Sequence, residues 1–227
     1  MLSTLNIYLF QNGSRIIPIL AIFLFTFYGC SSSTTKSEYY KLSKLDSIND
    51  YFFEITTKNE YYPNRVKKPM KWKKKDISIA LMGKPKSNDI KVFKEVTRYI
   101  ENYLNISFRY SDSEDADILF FIGSNDYFEN ELSEYFPRKI FSDGNSTALF
   151  FFKTNIFDRT SINRSFVFIS EGVIPKYKKH LFLEELVQSM GFPNDSYKYP
   201  NSIFYQGGSC DTVFNYMDSA IIKILYP

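Results

Sequence analysis

The side chains best suited to chemistry lie between positions 180 and 195, in the sequence HLFLEELVQSMGFPND. Carboxylate oxygens can ligate metal ions, and a carboxylate whose pKa is raised can act as a general base. Side-chain amides can ligate hard cations or hydrogen-bond to neighbouring groups. The segment could therefore serve metal binding, acid–base catalysis or a structural hydrogen-bond network. The residues concerned are Glu184, Glu185, Gln188, Asn194 and Asp195.

The spacing of these residues is that of the zinc-binding pattern H-E-x-x-H-x-x-G, in which two histidines one helical turn apart bind the metal. Glu184 and Gln188 stand at the two histidine positions, and Asn194 stands where a third ligand would follow. A catalytic zinc site needs three strong protein ligands, and amide oxygens suit calcium or magnesium better than zinc. The sequence therefore predicts neither zinc nor another resident cofactor. The same positions, with Asp195, remain candidates for a degenerate metal site or a binding surface.

Two further interpretations stay open for the same segment. Glu185 could act as a general base without a metal if burial or the neighbouring Glu184 and Asp195 raised its pKa. Alternatively, the polar side chains hydrogen-bond one another and lock the helix to the following loop. A serine triad is excluded because neither Ser189 nor Ser196 has a histidine partner in the sequence.

Helical geometry predicts how this segment is arranged. At about 100° per residue, Leu183, Leu186 and Val187 share one stripe, and the polar residues lie together on another, exposed face. Gly191 is placed to end the helix in the left-handed conformation, and Pro193 prevents the helix from resuming. Asn194 and Asp195 then turn back towards the polar face. The single histidine of the chain, His180, is expected to be solvated in the first turns.

The N-terminus predicts export and attachment to a membrane. An apolar run from residue 16 to 28 follows Arg15 and ends at Gly29-Cys30, with serines after it. The run is shorter than the roughly 18 apolar residues that a spanning helix needs. It resembles a bacterial lipobox, which implies a cleaved signal and a lipid on Cys30. The alternative is an uncleaved N-terminal anchor. Both interpretations place the domain in the bacterial cell envelope, outside the cytoplasm.

Charge and cysteine content restrict the partners. The formal net charge is +3, and residues 1–29 contribute one Arg and no acid, which leaves +2 for the remainder. A net positive charge this small predicts no nucleic-acid partner. Residues 65–75 hold seven basic residues around the only Trp, which fits contact with lipid head groups or a solvated run leading into a strand. If Cys30 carries a lipid, Cys210 has no second cysteine to pair with.

Hydrophobic periodicity predicts alternating helices and strands followed by two late helices, which is typical of an α+β domain. The helices are predicted over 38–55, over 88–104 with Asn88 as N-cap and Ile90 on its apolar stripe, and over 126–136, 175–190 and 211–225. The strands are predicted over 76–83, 108–110, 116–123, 148–153 and 165–170.

The string EELVQSMGFPNDS, with SIF at Ser202–Phe204 and MDSAIIKILYP at Met217–Pro227, resembles the bacterial family called domain of unknown function 2927. The similarity covers roughly residues 65–227, and the family pattern looks like a degenerate relative of the metzincin peptidases. The resemblance implies a zincin-like α+β fold, with a central mixed sheet, a long motif helix beneath it, a cleft above and a C-terminal helix. It also implies that Glu184 and Gln188 replace histidine throughout the family, and it brings no known activity.

These observations together predict a lipid-anchored envelope protein divided into a signal peptide (1–29), a lipidated cysteine with its tether (30–37), a helical extension (38–64) and a zincin-like domain (65–227). The domain is predicted to bind a peptide, a glycan or another envelope protein without hydrolysing it. The alternative is an atypical peptidase or glycan hydrolase with Glu185 as general base, with or without a weakly bound ion.

Overall fold

The computed structural model describes residues 45–58, 68–132 and 147–227. The predicted signal peptide, Cys30 and the tether lie outside the described residues, as do residues 38–44 of the first predicted helix. Within the described ranges, no helix has both the length and the apolar character needed to cross a membrane.

The described ranges contain five helices and six strands. The helices are α1 (Leu45–Thr57), α2 (Ser87–Leu104), α3 (Asn125–Glu131), α4 (Pro175–Gln188) and α5 (Tyr216–Leu225). The strands are β1 (Lys71–Trp72), β2 (Asp76–Gly83), β3 (Ser107–Tyr110), β4 (Ile118–Gly123), β5 (Ala148–Thr154) and β6 (Ser161–Ser170). All five predicted strands are present, and β1 is an addition.

The strands form one mixed sheet in the order β1-β6-β4-β2-β3, with parallel pairing, and β5 adds to β6 in antiparallel orientation. Every residue of β4 is buried, as a continuous apolar run in a central strand requires. Alternate β4 residues face two separate cores: Ile118 and Phe120 pack with α2 and α4, whereas Phe121 packs on the side of α3. The predicted α+β fold with a motif helix and a C-terminal helix is confirmed.

The starts of α2 and α5 differ from the predictions. Lys86, rather than Asn88, is the N-cap of α2, because the Asp89 carboxylate accepts a hydrogen bond from the Lys86 backbone N–H at 2.9 Å. Ile90, assigned to the apolar stripe, is 38% exposed. Helix α5 begins at Tyr216 instead of 211, since the Asn215 side chain accepts a hydrogen bond from the Asp218 N–H at 2.8 Å and so fixes the N-cap there.

Helix α1 belongs to the main core. Tyr51 and Ile55 are fully buried, Phe52 is 8% exposed, and α1 contacts α5. The Tyr51 ring packs edge-on against Tyr199, with 4.7 Å between ring centroids. The aromatic residues of this helix therefore help to build the same domain that contains the sheet.

The described part of the basic run, from residue 68 onward, leads into a strand. Trp72 is 2% exposed within β1, and the Lys74 ammonium lies 5.6 Å from the centre of its ring. Lys73 and Lys74 form ion pairs with Asp158 and Asp117. Contact of this run with lipid head groups stays a prediction.

Candidate functional site

Helix α4 carries three of the candidate residues, and it is buried on every side from His180 onward. All residues from His180 to Met190 are buried, and α4 contacts α2, β5 and β6. Glu184 is 4% exposed, Glu185 7% and Gln188 3%. The predicted exposed polar face is therefore wrong: neighbouring elements cover the polar stripe as well as the apolar one. The polar side chains must consequently find partners inside the protein.

Glu184 finds its partner one helical turn earlier, in His180. His180 is fully buried, so the expectation that it is solvated is wrong. Its Nδ1 donates a hydrogen bond to the Asp211 carbonyl at 2.6 Å, which leaves Nε2 facing the Glu184 Oε2 at 3.2 Å, without the alignment of a good hydrogen bond. A neutral ring would then present a lone pair to the carboxylate. The imidazolium removes that repulsion and makes the contact an ion pair.

The pKa of His180 moves in the direction that this geometry requires. Burial by itself disfavours the charged ring, but the contact with the Glu184 carboxylate and the hydrogen bond to the Asp211 carbonyl outweigh it. The pKa is therefore raised above its ordinary value. Glu184 is thus paired with the imidazole ring of its own helix, and the pairing favours the protonated form of that ring.

Gln188 finds its partner in the loop after the helix. Its Nε2 donates a hydrogen bond to the Asp195 Oδ1 at 2.6 Å, so the predicted return of the loop towards the motif is confirmed. Asn194, the position of a third ligand, is half-buried and its Nδ2 lies 2.6 Å from the Asp195 carbonyl oxygen. The amide of Gln188 thus serves as a hydrogen-bond donor that fixes the loop.

Gly191 makes this turn possible. It has φ +117°, and a Cβ built on it would lie 2.0 Å from the Met70 carbonyl oxygen. Only glycine satisfies both the backbone conformation and the close approach. The predicted role of Gly191 in ending the helix is confirmed. Pro193 is buried beside it.

The donor set does not fit a catalytic zinc ion. His180 and Glu184 face each other, and Gln188 offers an amide instead of an imidazole. Among the described residues, no group of three or more His, Cys, Asp and Glu is arranged to hold a metal ion. Glu185 lies between these pairs on α4, and its assignment as a general base stays a prediction.

A second buried polar cluster was not predicted from the sequence. The Ser202 hydroxyl donates to the Asp218 Oδ1 at 2.6 Å and lies 2.8 Å from the Tyr51 hydroxyl. Burial raises the pKa of Asp218 to about 6 and raises the pKa of Tyr51 well above its usual range. The cluster ties α1 and α5 to the turn at Ser202–Phe204. The spacing N-x-x-D from Asn215 to Asp218, which forms a capping box, was the signal that could have located it.

Comparison with known proteins identifies the family. The model of a family described as "Protein of unknown function (DUF2927)" matches residues 46–227. The chain belongs to this family. The DUF2927 match begins at residue 46, close to the start of α1, whereas the resemblance in the sequence was expected from about residue 65.

Structural comparison adds a distant neighbour to this DUF2927 protein. A solved structure described as "Crystal structure of myroilysin" aligns over 70% of this chain and 86% of that chain, with 12% sequence identity and a TM-score of 0.44. At that score the likeness carries no argument about mechanism. Among curated proteins, nothing matches the chain.

Proposed function

We propose that this protein is a lipid-anchored component of the bacterial cell envelope whose DUF2927 domain binds a ligand without hydrolysing it. The observation that supports the proposal is that polar side chains of the motif pair with internal partners, which we call the closed motif. Glu184 faces His180, and Gln188 donates a hydrogen bond to Asp195. A hydrolase needs a base and an electrophilic group aimed at a substrate. Here two of the polar groups of the motif are engaged with internal partners.

The ligand class we propose is an extended peptide segment, taken from the three classes that the sequence left open. Among the described strands, β5 pairs with β6 alone, and we propose that the backbone donors and acceptors on its outer side meet the ligand. An extended chain can add to such an edge as a further strand. Helix α4 packs against β5, which puts the closed motif next to this edge. The motif then serves to hold the edge strand in place.

Metal analysis together with hydrolysis assays tests the non-catalytic part. The purified protein and its Glu185→Gln variant are incubated with peptide and glycan libraries, and bound metal is measured by mass spectrometry. We expect no stoichiometric metal and the same background turnover for both proteins. Turnover that disappears in Glu185→Gln would establish the hydrolase instead, and metal near one equivalent would contradict the prediction that the motif holds no metal.

Hydrogen exchange tests the proposed edge. A peptide selected from a random library for binding is added, and amide exchange is followed along the chain. We expect slower exchange in β5, with β3, the opposite edge of the sheet, as the internal control. Protection confined to β3, or spread over loops away from β5, is incompatible with strand addition to this edge.

Metabolic labelling tests the anchor. Cells that express the full chain are fed an alkyne-tagged fatty acid, and the label on the protein is measured. The label is expected on the wild type and on the control Cys210→Ser, and lost in Cys30→Ser. Label that persists in Cys30→Ser, or a wild type found in the soluble fraction, contradicts lipid anchoring.

A further inference from the structure

The turn between β5 and β6 exposes two large apolar side chains at its tip. Ile156 is 81% exposed and Phe157 is 92% exposed. Single exposed apolar residues are common on protein surfaces, but two adjacent ones at the end of a protruding turn need an explanation. We infer that this tip inserts into the interface of a lipid bilayer with anionic head groups.

The tip is held rigidly, which favours insertion. The Asn155 side chain accepts a hydrogen bond from the Phe157 N–H at 2.8 Å, and the Asn155 N–H donates to the Ser161 carbonyl at 2.8 Å. Asp158 accepts hydrogen bonds from the Thr160 N–H and hydroxyl at 3.1 Å and 2.6 Å. These backbone groups already have partners, so their transfer out of water exposes fewer unsatisfied donors. The two apolar side chains need no further ordering to reach a membrane.

Basic residues surround the tip. Lys153 and Arg159 are exposed on either side of it, and Lys73 neutralises Asp158 inside the turn. The basic run from Lys71 to Lys75 lies at the same edge of the sheet, because β1 runs parallel to β6 beside its first residues. Basic residues of this kind are attracted to anionic lipid. Acidic residues of the same edge are Asp76 at the start of β2 and Asp112, Glu114, Asp115 and Asp117 in the loop before β4.

The shape of the tip separates a bilayer from other occupants. A small-molecule ligand needs a concave pocket, and the tip is convex. A stable protein interface buries about 1,200 Å² or more, which two side chains cannot supply. A bilayer interface accepts an apolar projection without a complementary shape. Docking of the tip would fix how the domain faces the membrane, which a lipid on Cys30 alone leaves free.

Depth-dependent quenching in vesicles tests the inference. The full chain is reconstituted in vesicles of phosphatidylcholine and phosphatidylglycerol whose acyl chains are brominated, because bromine quenches tryptophan that enters the bilayer. Phe157→Trp puts a reporter at the tip, and Tyr197→Trp is the matched control, since Tyr197 is 71% exposed on the loop after α4. The native Trp72 is 2% exposed and gives both variants the same background.

The expected result is quenching of Phe157→Trp at least about twofold stronger than that of Tyr197→Trp, with a decrease when Ile156→Ser is added. Raising the salt from about 0.1 M to about 1 M shortens the Debye length from about 10 Å to about 3 Å and should weaken the quenching. Equal quenching of both variants overturns the inference. Undiminished quenching in purely zwitterionic vesicles overturns the role of the basic residues, and emission that shifts with protein concentration without vesicles identifies a second copy of the chain as the occupant.

Discussion

The charge state of one buried histidine governs the motif at the scale of single residues. His180 and Glu184 lie one turn apart on the same helix, so each charge is accompanied by the other wherever the helix is formed. These are the two side chains of the motif that most resemble metal ligands, and their contact with each other contributes to stability. In this protein the motif can therefore be understood as an internal ion pair, His180 with Glu184, and a hydrogen bond from Gln188 that fixes the following loop.

Stability should fall as the pH rises from 5 to 8. The raised folded pKa of His180 means that its contribution is complete below the ordinary value of about 6.5 and is lost as the pH rises through the folded value. Asp218, with a pKa raised to about 6, favours folding while protonated, and it should remove about 1 kcal/mol between pH 5 and 8. Urea unfolding at both pH values measures the fall.

The variant His180→Gln separates the two groups, because it should flatten the part of the profile above about pH 6.5 and leave the Asp218 part in place. Lys84→Gln, at an exposed position outside this cluster, is the control and should keep the wild-type slope. A wild-type stability that rises between pH 5 and 8 would refute the assigned ion pair.

Gly191→Ala should destabilise the fold by about 3 kcal/mol. The variant combines a positive φ of 117° with a Cβ placed 2.0 Å from the Met70 carbonyl oxygen. Gly172→Ala is the matched control, since its nearest neighbour is the Ser170 Oγ at 3.7 Å and the change should stay within about 0.5 kcal/mol. Denaturant midpoints measure both. Equal effects of the two variants would mean that the backbone at Gly191 relaxes freely.

The contrast between Gly191 and His180 shows what the sequence could predict within the motif. Gly191 directly follows the predicted helix (175–190) and precedes Pro193 by two positions, so local backbone rules were sufficient, although α4 itself ends two residues earlier, at Gln188. The burial of His180 depends on the Asp211 carbonyl, 31 residues later in the chain. No local pattern reports such a contact. The hydrogen bond from Gln188 to Asp195 spans seven residues and was within reach of helical geometry.

At the scale of elements, α4 is fixed to its neighbours near its start and at its end. Near its start, the Lys178 ammonium donates to the Asp89 carboxylate of α2 at 2.7 Å, and both side chains are buried. At its end, the Ser165 hydroxyl of β6 donates to the Ser189 carbonyl at 3.0 Å. The helix therefore has little freedom to open as a lid, which agrees with a fixed support for a binding edge.

Lys178→Met should destabilise the protein by about 3 to 5 kcal/mol, because it leaves the Asp89 carboxylate buried without its counter-charge. The neighbouring Lys179 pairs with Glu95 at 3.1 Å, but both side chains are 43% exposed. Lys179→Met is accordingly the control and should cause no measurable change. Thermal and urea unfolding of both variants provide the comparison. Similar behaviour of the two would show that the buried pair is already accessible to water.

Strands were easier to predict than helix ends. The bounds of β2, Asp76–Gly83, agree with the prediction, but the expected single covered face is wrong: residues 77–80 are all buried, because Ile77 and Ile79 face one core and Ala80 faces the other. The start of α2 was missed because Asp89 reaches back to the Lys86 backbone, so the carboxylate, not Asn88, defines the cap. Helix α5 begins five residues after the predicted start at 211, because the Asn215 side chain caps it. Several residues in each segment could cap a helix, and tertiary packing selects one.

At the scale of the whole molecule, α1 should prove essential for folding. A chain that starts at residue 65 loses the buried side chains of Tyr51, Phe52 and Ile55. At roughly 1.5 to 3 kcal/mol each, their loss is comparable with the 5 to 15 kcal/mol that stabilises a typical domain. A chain that starts at residue 45 is the control and should unfold cooperatively. Cooperative unfolding of the shorter chain with unchanged stability would confine the domain to residues 65–227.

Strand β1 is hydrogen-bonded to a residue near position 227. The Trp72 N–H donates to the Tyr226 hydroxyl at 3.0 Å, and that hydroxyl donates to the Met190 carbonyl at 2.6 Å. The contact joins positions 154 residues apart, and β1 pairs with β6, about 90 residues away. Long loops must close before such contacts form, which slows folding. During synthesis, the segment around Trp72 therefore completes its contacts only after β6 and Tyr226 have been made. The fluorescence of Trp72 would report when this late packing step occurs.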